Sequence, residues 1–228
     1  GQRRTHTYQG AFVLQPKPGL YEKVVVFDFR SLYPSIITSH NISPGTLGCE
    51  CCHETIPGEK YWFCKKKKGF LPAVLENIIM RRMRIKEIVK KSTEKNTLLE
   101  ARNEALKVLA NAFYGYLGFA PARWYSIESA RSITALGRHY IQEVIEKAQK
   151  AGFSVLYSDT DSIFLELKEK SKQDAQNFVD TINSELPGLM ELEYEGFYPS
   201  AMFVSAKAGE YGAKKKYALL SERGILKI

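Results

Sequence analysis

The run FSVLYSDTDSIFLELK at residues 153–168 limits what this chain can fold into more than any other feature. Two stretches dense in aliphatic, β-branched and aromatic residues flank a tight turn at Asp159-Thr160-Asp161, which reads as a β-hairpin carrying acids at its tip. Residues at i and i+2 on an extended backbone project to the same side, so the carboxylates of Asp159 and Asp161 are expected close together. Such crowding is costly unless a cation shares the site. A third acid, Asp28, ends the run KVVVFDF at residues 23–29, which has the composition of a buried strand. Hard divalent ions such as Mg2+ take a few carboxylates, water and phosphate oxygens, and acids at strand ends can supply that set. Taken singly, each acid is more commonly a solvated turn residue, since Asp is a frequent turn former.

Helices separate these strands. Pro34 opens a short apolar segment, SIITSHNI, that ends at Ser43-Pro44-Gly45. From Pro72 to about Lys91, Val74, Leu75, Ile78, Ile79, Met83 and Ile85 recur at helical spacing, and the opposite face is basic, with Arg81, Arg82, Arg84, Lys86, Lys90 and Lys91. After the polar break STEKN at residues 92–96, a second helix over about 97–116 carries an apolar stripe of Leu98, Leu99, Ala105, Leu106, Leu109 and Phe113. Two helices joined so briefly form an antiparallel hairpin, here a lobe inserted into a sheet domain. Further helices are expected over 126–151, closed by Gly152, and over about 172–185, stopped by Pro187-Gly188. ELEYEGFY, AMFVSAK, KKKYALLS and ILKI read as strands. On the second helix, Lys107, Asn111 and Tyr114 stand at i, i+4 and i+7, which places a cation, an amide and a ring on one face; Arg82 and Lys86 share a face of the first. Such a surface suits a nucleoside triphosphate with bound metal, against the commoner reading of a solvated basic face.

The 33 Lys and Arg against 25 Asp and Glu leave a formal charge of +8, which favours an anionic partner. With 44% hydrophobic and 12% aromatic residues the chain can build a core, so general disorder is excluded. No apolar run approaches the roughly 18 residues of a membrane span, and GQRRTHTYQG lacks the apolar stretch of a secretory signal, so a soluble intracellular protein is expected. The absence of an initiator Met and an ending at 223–228 that resembles an unfinished strand suggest a piece of a longer chain. Cys49, Cys51, Cys52 and Cys64 fall within sixteen residues, beside His53. The C-x-C-C spacing is not a standard paired zinc pattern, and a disulfide, a metal cluster and inert thiols all remain open.

Three motifs in order now carry a resemblance. DFRSLYPSII at Asp28 to Ile37, K-x-x-x-N-x-x-Y-G at Lys107 to Gly115 and YSDTDS at Tyr157 to Ser162 resemble motifs A, B and C of family B DNA polymerases. Y-x-G at Tyr8 to Gly10, ARWY at Ala122 to Tyr125, ELEYEGFY at Glu191 to Tyr198 and KKKY at Lys214 to Tyr217 extend the similarity over essentially the whole chain, and it looks most like the archaeal branch.

The resemblance implies an α+β fold: a polymerase palm, an antiparallel sheet backed by helices, over residues 1–71 and 117–228, with an inserted two-helix fingers lobe at 72–116. It implies template-directed DNA synthesis with two Mg2+ ions, Mn2+ able to substitute, and Asp28, Asp159 and Asp161 as catalytic acids. Asp28 and Asp161, with the carbonyl of Phe29, match the metal ligands, and Glu195 is a candidate further carboxylate. Ser31, Leu32, Tyr33, Arg82, Lys107, Asn111 and Tyr114 match nucleotide-binding positions: backbone N–H groups from the first two, phosphate contacts from Arg82 and Lys107, and faces toward the nascent base pair from Asn111 and Tyr114. Tyr33 matches the ring that leaves no room for a ribonucleotide 2′-hydroxyl. Tyr8, Gly10, Gly115, Lys214, Lys215, Lys216 and Tyr217 match DNA-contacting positions. Lys216 stands where the family's K-K-R-Y element has Arg, replacing a bidentate contact by a point charge.

The partners implied are primer–template DNA, deoxynucleoside triphosphates and, through regions outside this segment, a sliding clamp, with no membrane. The setting implied is a prokaryotic cytoplasm, associated with the nucleoid. Neither the proofreading exonuclease nor the thumb has a counterpart in these residues. Two rivals stand beside this reading: a catalytically silent DNA-binding scaffold, which has no need of crowded acids, and a metal-dependent nuclease, which leaves the Lys107, Asn111 and Tyr114 face unexplained.

Overall fold

The computed structural model describes residues 7–92, 96–205 and 212–228. They form an α+β fold in two compact units. One is drawn from the described residues up to Gly10, Ser31–Leu136 and Pro187–Leu189; the other from Ala11–Arg30, Gly137–Leu186 and Met190–Ile228. Among the described residues no helix is long and apolar enough to cross a membrane.

The second unit is built on a seven-stranded sheet: β1 (Val13–Leu14), β2 (Gly19–Phe29), β3 (Ser154–Asp159), β4 (Ser162–Glu166), β5 (Leu192–Ser205), β6 (Gly212–Leu220) and β7 (Leu226–Lys227). The order is β1-β3-β4-β2-β5-β6-β7, with every neighbouring pair antiparallel. Alternation along β2 explains its central place. Val24 and Val26 join Leu156, Tyr157, Phe164, Ala201, Phe203 and Leu219 in one buried cluster. Its rings interlock: Tyr157–Phe164 centroids lie 5.2 Å apart, Phe164–Tyr217 5.0 Å and Tyr157–Phe203 5.7 Å. Phe27, of the opposite parity, meets Phe178 at 6.1 Å and Tyr194 at 5.8 Å.

ELEYEGFY and AMFVSAK were expected as two strands; residues 192–198 of the first and 201–205 of the second belong to the single strand β5. Pro199 has no N–H for a ladder, and it falls where β2 takes a left-handed step at Lys23 (φ 50°), between the pairs Glu22↔Ser200 and Val24↔Tyr198.

The first unit is helical, with α1 (Leu32–Ser39), α2 (Phe70–Lys91) and α3 (Thr97–Gly118) packed on one another. Helix α1 starts two residues before Pro34, which therefore sits in the first turn, where no intrahelical N–H is lost. Asn96 caps α3, its side chain accepting from the Leu99 N–H. The expected stripe on α3 is only partly realised. Its buried residues are Ala110 and Leu117, neither of them in that stripe, whereas Leu98 and Leu109 are exposed. Residues 93–95 of the expected break, and the Ala206 and Lys207 end of AMFVSAK, lie outside the described residues.

Helix α4 (Ile127–Lys150) starts in the first unit and ends in the second. Ser126 accepts the Ser129 N–H at its start, and Gly152 (φ 85°) follows its end. In the second unit, α5 (Lys172–Glu185) begins with a reciprocal capping box between Ser171 and Asp174. Ala175, Phe178, Val179 and Ile182 form its buried face.

Candidate active site

In the second unit, strand register decides what surrounds Asp28. It lies opposite Ser162 of β4 on one side and Glu193 of β5 on the other, and Ser162 in turn pairs with Asp159 of β3. The hairpin tip between β3 and β4 is not extended. Asp161 N–H donates to the Asp159 carbonyl at 2.6 Å across Thr160, whose φ of 57° makes this a γ-turn of the strained kind. The tip is held on both sides: Thr160 N–H donates to the Phe12 carbonyl at 3.1 Å and Phe29 N–H to the Asp161 carbonyl at 2.8 Å. The last bond ties the end of β2 directly to the acidic turn.

The carboxylates differ sharply in their company. Burial, then the charges of Asp161, Glu195 and Glu193, push the Asp28 carboxyl up to about 7, with Lys227 opposing. Asp161 is also raised, mainly by burial and by Asp159, against a backbone hydrogen bond and Lys215. Asp159, by contrast, accepts from the Thr160 hydroxyl at 3.1 Å and the Tyr157 hydroxyl at 3.3 Å, and Lys215 Nζ stands 3.5 Å away. Crowded anions with so little compensation from the protein are a donor set that fits hard divalent cations. The residues present therefore fit the metal that the sequence motifs imply, with Asp28 and Asp161 as the acids most in need of it.

Two contributors carry weaker sequence signals. Val26 pairs with Gly196 and Phe27 with Tyr194, so Glu195 is the extra residue of a β-bulge that re-aims its side chain, and it also pairs with Lys227. Arg30 was not singled out in the sequence. Its guanidinium grips Glu191 at 2.6 Å and Glu193 at 2.5 Å, fastening β5 beside the end of β2. The signal was available as alternating acids in ELEYE opposite a basic residue just past KVVVFDF, but only strand pairing gives it meaning. Asp28, Arg30, Asp180, Glu191, Glu193 and Glu195 line an open cleft of about 490 Å3.

The expected DNA-contacting lysines Lys214, Lys215 and Lys216 are exposed on β6. Lys215 takes a left-handed conformation (φ 60°), and its N–H donates to the Tyr157 hydroxyl at 3.0 Å. The Tyr217 ring is committed to the aromatic cluster, anchoring the end of the lysine run.

The first unit brings together most of the expected nucleotide-side residues. Ser31, left-handed at φ 49°, precedes α1, and Arg82 Nη1 donates to its hydroxyl at 2.7 Å. The Tyr33 ring packs on Tyr114 with centroids 4.6 Å apart, and the Tyr114 hydroxyl meets that of Tyr8 at 3.0 Å. Leu32 is buried. Lys107 and Asn111 are exposed on preceding turns of α3, with Lys107 Nζ 3.5 Å from Glu104. Gly10 and Gly115 each leave open space where a Cβ would stand. The four cysteines are free thiols grouped in the loop before α2.

A family model described as DNA polymerase family B matches residues 1–223. DNA polymerase 1 of Pyrococcus abyssi (strain GE5 / Orsay) is 46% identical over 231 residues, covering 98% of this chain and 29% of that protein. The DNA polymerase of Archaeoglobus fulgidus is 40% identical over 224 residues, covering 96% of this chain and 27% of the other. Among solved structures, the family B DNA polymerase from the hyperthermophilic archaeon Pyrobaculum calidifontis superimposes with a TM-score of 0.71 at 38% identity, over 99% of this chain and 29% of that one. The chain thus spans less than a third of the length of these relatives.

Proposed function

The chain belongs to DNA polymerase family B, and on that premise we propose that it forms the polymerising centre of a template-directed DNA polymerase, with the sheet as palm and α2 and α3 as fingers. The observation that carries this reading is the crowding of Asp28 and Asp161, whose carboxyls are both raised by burial and by neighbouring acids. In the reaction the primer 3′-oxygen forms a bond to the α-phosphorus of a deoxynucleoside triphosphate, the bond to the β-phosphate breaks, and pyrophosphate leaves. Asp28 and Asp161, with the Phe29 carbonyl, would hold two Mg2+ ions, Mn2+ able to replace them. When bound, these supply an acidified 3′-hydroxyl and a neutralised leaving group.

The chain's own residues do the rest. Asp159, already engaged by Thr160, Tyr157 and Lys215, positions the turn rather than serving as the main ligand. Arg82 and Lys107 offset charge on the triphosphate, and the Ser31 and Leu32 N–H groups at the start of α1 are suited to its oxygens. Asn111 and Tyr114 face the nascent pair, and Tyr33, packed on Tyr114, closes the space beside the sugar C2′. Tyr8, Gly10, Gly115 and the Lys214–Lys216 run take the duplex, independently of sequence.

The test is primer extension by this chain, and by a chimaera in which it replaces the matching segment of the Pyrococcus abyssi enzyme. Asp28→Asn and Asp161→Asn are each expected to lower the incorporation rate at least about 10³-fold, the loss of an interaction made chiefly in the transition state, with duplex affinity retained. Near-normal extension by either variant overturns the reading.

A further inference from the structure

The four cysteines are not used by the proposed polymerisation, and their geometry is that of a different site. Cys49, Cys51, Cys52 and Cys64 present four Sγ atoms that all lie within 4.8 Å of one another, with Cys51 Sγ 3.6 Å from Cys64 and 3.8 Å from Cys52. A tetrahedron of thiolates at a Zn–S distance of about 2.3 Å has edges of about 3.8 Å. Disulfides join sulfurs in twos and give no reason for all four to converge. An iron–sulfur cluster spreads its thiolates over several irons and needs them further apart. We propose that Cys49, Cys51, Cys52 and Cys64 bind a single structural Zn2+ ion.

The surrounding loop is built to deliver these ligands. The Cys49–Cys52 stretch and Cys64 are distant in sequence, and isolated antiparallel bridges Leu47↔Phe63 and Thr55↔Trp62 bring the two arms together. Gly48 N–H donates to the Trp62 carbonyl at 3.0 Å, Cys64 N–H to the Thr46 carbonyl at 2.8 Å, and the Trp62 indole N–H to the Cys49 carbonyl at 2.9 Å. Asn41, left-handed just past α1, donates to the carbonyls of Cys64 (2.6 Å) and Lys67 (2.7 Å) while accepting from Gly69 N–H (2.8 Å). Main-chain N–H groups also point at the sulfurs: Lys65 N–H at Cys52 Sγ and Lys67 N–H at Cys64 Sγ, both 3.3 Å. Such donors orient thiolate ligands and moderate their charge. A tetrathiolate zinc carries a net charge of −2, and Lys65, Lys66, Lys67 and Lys68 follow the last ligand directly. With all four positions filled by protein there is no open coordination site, so the ion is structural and pins the connection between α1 and α2.

The test is made on the chain purified under reducing conditions without chelator. Elemental analysis is expected to give about one zinc per chain, and the metal-free chain titrated with Co2+ is expected to develop the d–d and charge-transfer bands of a tetrahedral tetrathiolate, saturating at one equivalent. Chelation should lower the unfolding temperature, with recovery on adding Zn2+ but not Mg2+, which separates this site from the carboxylates. Cys51→Ser removes the most exposed ligand, and its zinc content should fall at least about tenfold at an unchanged far-ultraviolet spectrum. Stoichiometric iron in place of zinc, or wild-type protein that takes up neither Zn2+ nor Co2+ with all four thiols reduced, overturns the proposal. Loss of primer extension with zinc retained would count against the polymerase reading and leave this one standing.

Discussion

At the scale of single residues, the three motif acids are not equivalent. Asp159 has hydrogen-bond donors and a lysine, whereas Asp28 has burial and three other acids, which push it up to about 7 from an ordinary value of 3.8. The sign of the linkage is fixed by that direction. Between about pH 4 and 7 the folded state holds a proton that the unfolded state has released, so the metal-free protein loses stability as pH rises through this window. Asp28→Asn removes the effect. Its unfolding midpoint, compared with wild type in chelator, is expected to rise more at pH 8 than at pH 5, and millimolar Mg2+ should flatten the wild-type profile. The proposed sugar contact makes a second expectation at this scale: Tyr33→Ala raises ribonucleotide incorporation relative to deoxynucleotide at least about tenfold, as read by single-nucleotide extension with each substrate. Asp28, Asp159 and Asp161 were legible in sequence because motif spacing marks them. Their different burdens were not, because those depend on Glu193 and Glu195, which only strand pairing brings to Asp28.

At the scale of elements, the sequence reveals which segments form strands and helices more fully than how they are finished. The tight turn expected at the hairpin tip is present as a γ-turn at Thr160, held by Phe12 and Phe29, so the extended-backbone geometry assumed for Asp159 and Asp161 does not apply there. The bulge at Glu195 has no local signature beyond the following glycine. The end of α5 offers a direct check. Gly188 follows it at φ 58°, and a Cβ there would lie 2.6 Å from Ser39 Oγ, 2.9 Å from its Cβ and 3.2 Å from its Cα. The hydroxyl could rotate away, but the backbone cannot, and the left-handed conformation adds its own penalty. Gly188→Ala is expected to destabilise the chain by about 2 kcal/mol, measured from urea midpoints at unchanged m-value.

At the scale of the whole molecule, the charge of +8 is divided among separate tasks. Lysines 65–68 adjoin the cysteine cluster, Arg82 reaches Ser31, and Lys214–Lys216 stand exposed on β6. If all three β6 lysines meet phosphates, replacing them by alanine lowers the salt slope of duplex binding by about 2 to 3, read as log Kd against log salt by fluorescence anisotropy. By itself the sequence determined the composition of the strands and helices, the order of the motifs and the identity of the acids, because periodicity, turn chemistry and motif spacing are local properties of the chain. Tertiary structure alone decided the strand order that sets Asp28 between Ser162 and Glu193, the bulge that re-aims Glu195, and the convergence of four sulfurs from two arms of one loop. Those depend on hydrogen bonds and packing between residues far apart in sequence, where no local pattern records the partner.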